Sequence, residues 1–229
     1  MSIASEIVKV TAVQVTSVET LVATLTAWHP YVDVYVDPNG DALAAGTEWL
    51  LYAVDGTSKG ALLAQGVMGT DPQRVMAKVP GRGLTIALYA YTKGASTGAD
   101  LKVALVGWDP RFQTAVVANE GNQGTHNLTN ARVTLATLSQ WYPLVSAIAN
   151  VSADLGGVGK SQWEIVANFA GMAPIIVAAG KLTEAQASPQ GLGTVEGGCE
   201  SWTLQAFTNG PNVANAVGTL FGYAPAGHA

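Results

Sequence analysis

The sequence predicts an all-β chain: two tandem antiparallel β-sandwich domains, of jelly-roll or immunoglobulin-like type, related by internal duplication. Three observations carry this. Four sequence blocks recur in the same order, about 114 residues apart. Short alternating or β-branched apolar runs, separated by turn sequences, dominate both halves. Hydrophobic residues make up 48% of the 229 residues and charged residues only 12%, against about 25% charged in an ordinary soluble domain.

The repeat is read block by block. Val22–Pro30, with Trp28 and His29 near its end, matches Leu135–Pro143, with Trp141 and Tyr142, at an offset of 113. Glu48–Ala53, with Trp49, matches Gln162–Ala167, with Trp163, at 114, and the register holds to Gly66 and Gly180. Leu88–Gly94 matches Leu204–Gly210 at 116, and Leu105–Pro110 matches Leu220–Pro225 at 115. Chance similarity would scatter the offsets. The expected domains are 1–115 and 116–229, joined through the polar stretch Asn119–His126. A period this long gives two complete domains, each with its own core, whereas solenoids and propellers repeat every 20–50 residues.

Each element has its own signal. Val13–Val15 alternates, and Tyr31–Val36 is β-branched and aromatic and ends at the turn sequence Asp37-Pro-Asn-Gly40. Trp49–Val54 stops at Asp55-Gly56, and Ala61–Val67 follows as the second arm of a hairpin. Leu84–Tyr91 alternates cleanly, and Leu101–Trp108 runs to Asp109-Pro110. The second copy gives Trp163–Phe169, Pro174–Ala179, Ser201–Thr208 and Asn215–Tyr223. Segments 19–27 and 132–140 combine Ala and Leu, which suit a helix, with Thr, which favours strand. The total is six or seven strands per copy. The six Trp fall three to a copy, and their recurring positions mark them as packing residues.

Composition excludes several function classes. The net charge of −5 argues against a general nucleic-acid binder, which needs a basic footprint. The opening Met1–Val10 lacks a basic n-region and is interrupted by Glu6 and Lys9, so it does not read as a signal peptide. No apolar run reaches the length of a membrane span. The single cysteine, Cys199, allows no internal disulfide and fits a chain made in a reducing cytoplasm.

Motifs that could carry chemistry are incomplete. Gly56-Thr-Ser58-Lys-Gly60 matches the G-x-S-x-G nucleophile elbow, but that motif needs a strand-to-helix turn, and here it joins two strands. Gly159-Lys160-Ser161 resembles the end of a phosphate-binding loop, yet Asp154 stands where the first glycine belongs and would repel phosphate. Asp37, Asn39 and Asp41 place oxygens at alternate residues, as do Asn150, Ser152 and Asp154, like the start of a calcium loop. The same Asp-Pro-Asn-Gly sequence is a common turn. His29, His126 and His228 have no paired-ligand spacing, and Cys199 has no neighbouring base. The expectation is no enzyme, no metal and no cofactor.

The copies differ in charge. Residues 1–115 carry 8 basic and 10 acidic side chains, and residues 116–229 carry 3 and 6. Arg74, Lys78 and Arg82 cluster in the first copy, where the second runs from Lys181 through Glu184 to Glu196 and Glu200. Such loops are either plainly solvated or complementary across an assembly contact.

A duplicated, charge-poor β-chain without a catalytic constellation is expected to be a non-enzymatic structural subunit of a large assembly. The expected setting is a virion made in a host cytoplasm, as a bacteriophage capsid, decoration or shell protein. Its partners would be copies of itself, as a trimer or larger, and other virion proteins. The alternative is a carbohydrate- or receptor-binding module using Tyr31 and Tyr35 on one strand face and Tyr89 and Tyr91 on another. Whether these tyrosines face solvent separates the two.

Overall fold

The computed structural model describes residues 6–39, 46–55, 58–79, 85–93, 99–109, 115–121, 126–151, 161–182, 190–210 and 213–224. It divides into unit 1, Met1–Pro110 with Phe169–Ile175, and unit 2, Arg111–Asn168 with Ile176–Ala229.

Unit 1 contains β1 (Glu6–Val15), β2 (Thr20–Leu25), β3 (Tyr31–Asp37), β4 (Thr47–Asp55), β5 (Ser58–Val67), β6 (Gln73–Lys78), β7 (Thr85–Thr92) and β8 (Ala99–Trp108). Its first sheet has the order β1-β8-β3-β6 and its second β2-β7-β4-β5, with antiparallel neighbours. Valines 32, 34 and 36 and Leu101, Val103 and Leu105 of the first sheet form one core with Leu25, Trp49, Leu51, Ile86 and Leu88 of the second. Eight strands in two facing sheets with this order make a jelly roll, which settles the choice left open by the sequence.

Unit 2 contains β9 (Ala115–Gly121), β10 (His126–Leu128), β11 (Val133–Leu138), β12 (Leu144–Val151), β13 (Ser161–Asn168), β14 (Ile175–Lys181), β15 (Gln190–Glu196), β16 (Ser201–Thr208) and β17 (Val213–Ala224). Its sheets run β10-β17-β12-β15, with β9 also on β17, and β11-β16-β13-β14. Replacing β9 and β10 by one broken strand gives the same permutation as unit 1. The counterpart β1 is continuous but shifts register between Val10 and Val13.

The duplication reaches individual hydrogen bonds. Met68 N donates to Thr47 O (2.8 Å), as Leu182 N does to Ser161 O (2.9 Å). Thr92 N donates to Thr16 O and Thr208 N to Thr129 O, both at 2.8 Å. Val79 N donates to Pro30 O and Gly197 N to Pro143 O. The hydroxyls of Thr16 and Thr129 each accept a backbone N–H two residues on, the same small turn in both units.

Ring-on-glycine contacts explain why the matched blocks carry the residues they do. A Cβ added at Gly66 would lie 2.5 Å from the Trp49 ring, and one at Gly180 would lie 2.7 Å from the Trp163 ring. Gly107 leaves room for the His29 ring, and Gly222 for that of Tyr142. A strand glycine costs roughly 0.5–1 kcal/mol relative to Ala. Burying an indole of about 200 Å² gains on the order of 5 kcal/mol, so the pairing wins. His29 is thus a packing residue at 3% exposure, and its Nε2 lies 3.5 Å from Glu6 Oε2.

Expectations and structure differ in several places. Segments 19–27 and 132–140, read between helix and strand, hold strands β2 and β11, as their Thr content favoured. Asn119–Gly121, expected in a linker, belong to β9, and His126 opens β10. Strands β6, β12 and β15 and the first half of β1 carried no sequence signal that was used. Trp49, Trp108 and Trp202 are completely enclosed.

Glu6 anchors the end of β2. Its carboxylate accepts hydrogen bonds from Thr26 N, Thr26 Oγ1 and Ala27 N at 2.8–3.0 Å. Burial alone would raise its pKa, but the Thr26 and Ala27 donors and His29 together bring it below the usual carboxylate value.

Two outcomes follow from this packing. Gly66→Ala is expected to destabilise by about 1–3 kcal/mol in chemical denaturation, while Gly191→Ala, with open space at its Cβ, stays within about 0.5 kcal/mol. A lowered folded pKa gives stability that is present above the unfolded value near 4.5 and lost as pH falls through the folded value. Glu6→Gln is therefore expected to lose about 1–2 kcal/mol at pH 7. The gap to the unsubstituted protein should close as both are titrated into acid.

Candidate functional site

In the second sheet of unit 1, alternate residues of β4 and β7 point away from the core. Trp49, Leu51, Ile86 and Leu88 are buried, while Leu50, Tyr52, Tyr89 and Tyr91 are only half-buried. One row across the outer face reads Leu21, Tyr89, Leu50 and Gln65 on β2, β7, β4 and β5. The next pairs Leu62 with Tyr52. Leu21 is 52% exposed and Leu62 46%. Both lie on edge strands, where a long apolar edge invites another protein.

The charges on this face neutralise one another. Lys59 meets Glu19 at 2.6 Å and lies over the rings of Tyr89 (4.0 Å) and Tyr52 (5.3 Å). Lys93 and the Tyr91 hydroxyl both engage Glu48, and Lys93 first, then Tyr91, hold that carboxyl below its ordinary range. A shallow groove of about 230 Å³ runs between Glu48, Leu50, Gln65, Gly66 and Val67. The face is thus apolar, aromatic and locally neutral.

The same face in unit 2 has other chemistry. The row Thr134, Gln205 and Glu164 stands where unit 1 has Leu21, Tyr89 and Leu50. Arg132 Nε donates to Glu164 at 2.7 Å, and so does Gln205 Nε2. Arg132 foremost, with Gln205 adding and burial opposing, holds the Glu164 carboxyl below its usual range. The Arg132 guanidinium also covers the Phe207 ring at 5.0 Å. Asn168 donates to Thr203 Oγ1 at 2.9 Å. These polar contacts occupy the centre of the face, while Ile176 on the edge strand β14 is 47% exposed.

The first sheets contrast as well. In unit 1 the outward-pointing Asp33, Tyr35, Ala104, Val106 and Trp108 are all at 0% exposure. Phe169 packs edge-on against Tyr35 at 4.6 Å, Asp37 Oδ2 accepts Ala173 N at 2.8 Å, and Arg74 grips Asp33 at 2.8 Å. At the matching positions of unit 2, Ser146, Ile148, Thr219, Phe221 and Tyr223 are half-exposed.

The sequence-predicted site residues separate accordingly. Tyr35 is sealed and Tyr31 stacks on Trp108 at 5.1 Å, so neither presents an open ring as the alternative reading expected. Tyr89 and Tyr91 do face outward together. Asp37 uses one oxygen on Asn39 N (2.8 Å) and the other on Ala173 N, and Asn39 has φ 55°. It closes a turn. Asp41, Ser152 and Asp154 lie outside the described residues, and Asn150 lies in β12. Ser58 opens the second arm of the β4–β5 hairpin, and Ser161 opens β13, while Gly56, Thr57, Gly159 and Lys160 lie outside the described residues. Cys199 is buried and contacts Ser201 O. Among the described residues no three His, Cys, Asp or Glu gather to hold a metal ion. Of the basic cluster, Arg74 is committed to Asp33 and Lys78 is exposed on β6. Arg82, Glu184 and His228 lie outside the described residues. Among the described residues no helix is long and apolar enough to cross a membrane.

The reading of single motifs missed Leu21, Leu50, Tyr52 and Leu62. A signal was available in the aligned copies for two of them, Leu21 opposite Thr134 and Leu50 opposite Glu164, whereas Tyr52 and Leu62 stand opposite the apolar Val166 and Ile176.

No family model and no curated protein matches the chain. Solved structures give distant likenesses. Tandem CBM51 modules of Sp3GH98, the family 98 glycoside hydrolase from Streptococcus pneumoniae SP3-BS71, align with TM-score 0.32 and 8% identity, over 93% of this chain and 83% of that one. The STIV MCP aligns with TM-score 0.28 and 10% identity, over 99% and 98%. Allantoicase aligns with TM-score 0.28 and 10% identity, over 96% and 77%. These neighbours differ in kind, and at such scores none bears on function.

Proposed function

We propose that the chain is a non-enzymatic structural subunit of a homo-oligomeric shell, a virion capsid, decoration or other shell component of a bacteriophage. The observation that carries this reading is the repeated jelly roll whose matching faces have diverged. One face of unit 1 is apolar and neutral in a chain with 12% charged residues, while the centre of its counterpart in unit 2 carries an ion pair and amides. A face that stayed in water would have no reason to hold Leu21, Tyr89 and Leu50 where a duplicated sister holds Thr134, Gln205 and Glu164. Two copies of one topology per chain also allow three chains to present six pseudo-equivalent sandwiches around a ring.

The alternative, a carbohydrate- or receptor-binding module, draws support from the outward Tyr52, Tyr89 and Tyr91 beside a groove with Glu48 and Gln65. Its weakness is that Lys59 already covers the two rings a sugar would stack on, and Glu48 is already engaged by Lys93 and Tyr91.

Light scattering and electron microscopy of the purified chain test the proposal. The expected result is particles whose mass is a multiple of three 23.5 kDa chains, growing with concentration. A monomer at every concentration, above all one that binds glycans, would overturn it.

A further inference from the structure

Among the described residues, β5 and β14 are the last strands of their sheets, β2-β7-β4-β5 in unit 1 and β11-β16-β13-β14 in unit 2. Each carries a large apolar side chain in water at the matched position, Leu62 at 46% exposure and Ile176 at 47%. On β5 that leucine belongs to the apolar face already assigned to a neighbouring copy. On β14 the face beside the isoleucine is polar at its centre, where Arg132, Glu164 and Gln205 bond to one another, so burial of a whole face does not account for it. A contact along the edge does. β14 reads Ile175-Ile-Val-Ala-Ala-Gly-Lys181, β-branched at its start and without charge before its last residue. As the last strand of its sheet it turns one row of N–H and C=O groups away from β13. Pro174 and Lys181, of the residue types that block strand addition, stand only at its two ends. We infer that β14 pairs antiparallel with β14 of a second copy of the chain about a two-fold axis, joining two four-stranded sheets into one continuous sheet. This deepens the proposed function and rests on it for the identity of the partner.

Charge selects both the partner strand and its direction. Antiparallel self-pairing sends the Lys181 of each copy to opposite ends of the contact, about 20 Å apart along the strand at 3.4 Å per residue. That is beyond the screening length of about 8 Å in physiological salt. Parallel self-pairing would set the two lysines side by side. Antiparallel pairing with β5 of another copy would bring Lys59, near the start of β5, to the end where Lys181 lies. The remaining residues, Ile175–Gly180, meet only uncharged residues in the self-paired edge. An edge contact also leaves the Arg132–Glu164 ion pair in water, so its desolvation does not oppose association. The contact is isologous: one surface serves both copies, and no second complementary patch is needed. Backbone hydrogen bonds supply the affinity and the exposed isoleucine the apolar gain, the usual division in strand addition.

Cysteine cross-linking of the full chain tests this. Ile176→Cys, Ala178→Cys and Ala179→Cys are oxidised mildly, alone and in pairwise mixtures, and the linked peptides are identified by mass spectrometry. The native Cys199 is buried, and the unsubstituted chain serves as the blank. The inference expects a covalent dimer joined β14 to β14 from these central positions. It expects none from Lys181→Cys, whose two copies stand at opposite ends. Adding Ile176→Lys to the Ala178→Cys chain is expected to cut the yield about tenfold, since a lysine in mid-edge opposes strand addition. Circular dichroism checks that this chain keeps its fold. A cross-link that forms readily from Lys181→Cys, or one that joins β14 to a different strand, overturns the pairing. A chain that assembles by light scattering yet gives no β14–β14 cross-link overturns it too, and leaves the shell reading standing. An unsubstituted chain that is monomeric at every concentration overturns the shell reading and the pairing together.

Discussion

Rings lying over strand glycines hold each sandwich to its shape. Trp49 over Gly66 and Trp163 over Gly180 tie β4 to β5 and β13 to β14. His29 against Gly107 and Tyr142 against Gly222 fix where the chain enters β3 and β12. A side chain at any of these glycines would push a buried ring outward, and the facing sheet would lose its contact. Because both members of a pair are needed, a duplicated gene that drifts elsewhere keeps Trp and Gly in register. This is the physical reason that four blocks remain recognisable when the intervening sequence does not.

How much was legible follows from the same constraint. Strands flanked by these pairs, such as Ser201–Thr208, were read with correct limits, because alternation is strict where one face is buried. β6 and β15 were missed because edge strands are partly solvated and carry mixed residues, Gln73 and Arg74 in one and three of seven small or hydroxylated positions in the other. β2 and β11 were ambiguous because Ala and Leu suit a helix as well. Their Thr residues and their pairing with β7 and β16 decide for strand. The spacing at Asp37 was ambiguous between turn and calcium loop because carboxylates that close turns use the same alternate spacing as ligands; its bonds to Asn39 N and Ala173 N are those of a turn.

The outer faces, unlike the cores, were free to diverge. Substituting Glu164, Gln205 and Thr134 for Leu50, Tyr89 and Leu21 leaves the strand order unchanged but alters what each face does with water. Arg132, Glu164 and Gln205 satisfy one another at the centre of the second copy's face. The first copy presents leucine and tyrosine at the same positions. Two folds of identical topology thereby acquire two different sides, and a chain with different sides can build a directional contact that a single symmetric domain cannot.

The central claim of the proposed function is that neighbouring copies of the chain cover the Leu21–Tyr89–Leu50 face of unit 1. Hydrogen exchange read by mass spectrometry, comparing assembled with dissociated protein, measures this most directly. The account predicts that protection gained on assembly includes the edge strands β2 and β5. Assembly with no protection gained on β2 and β5 would contradict it.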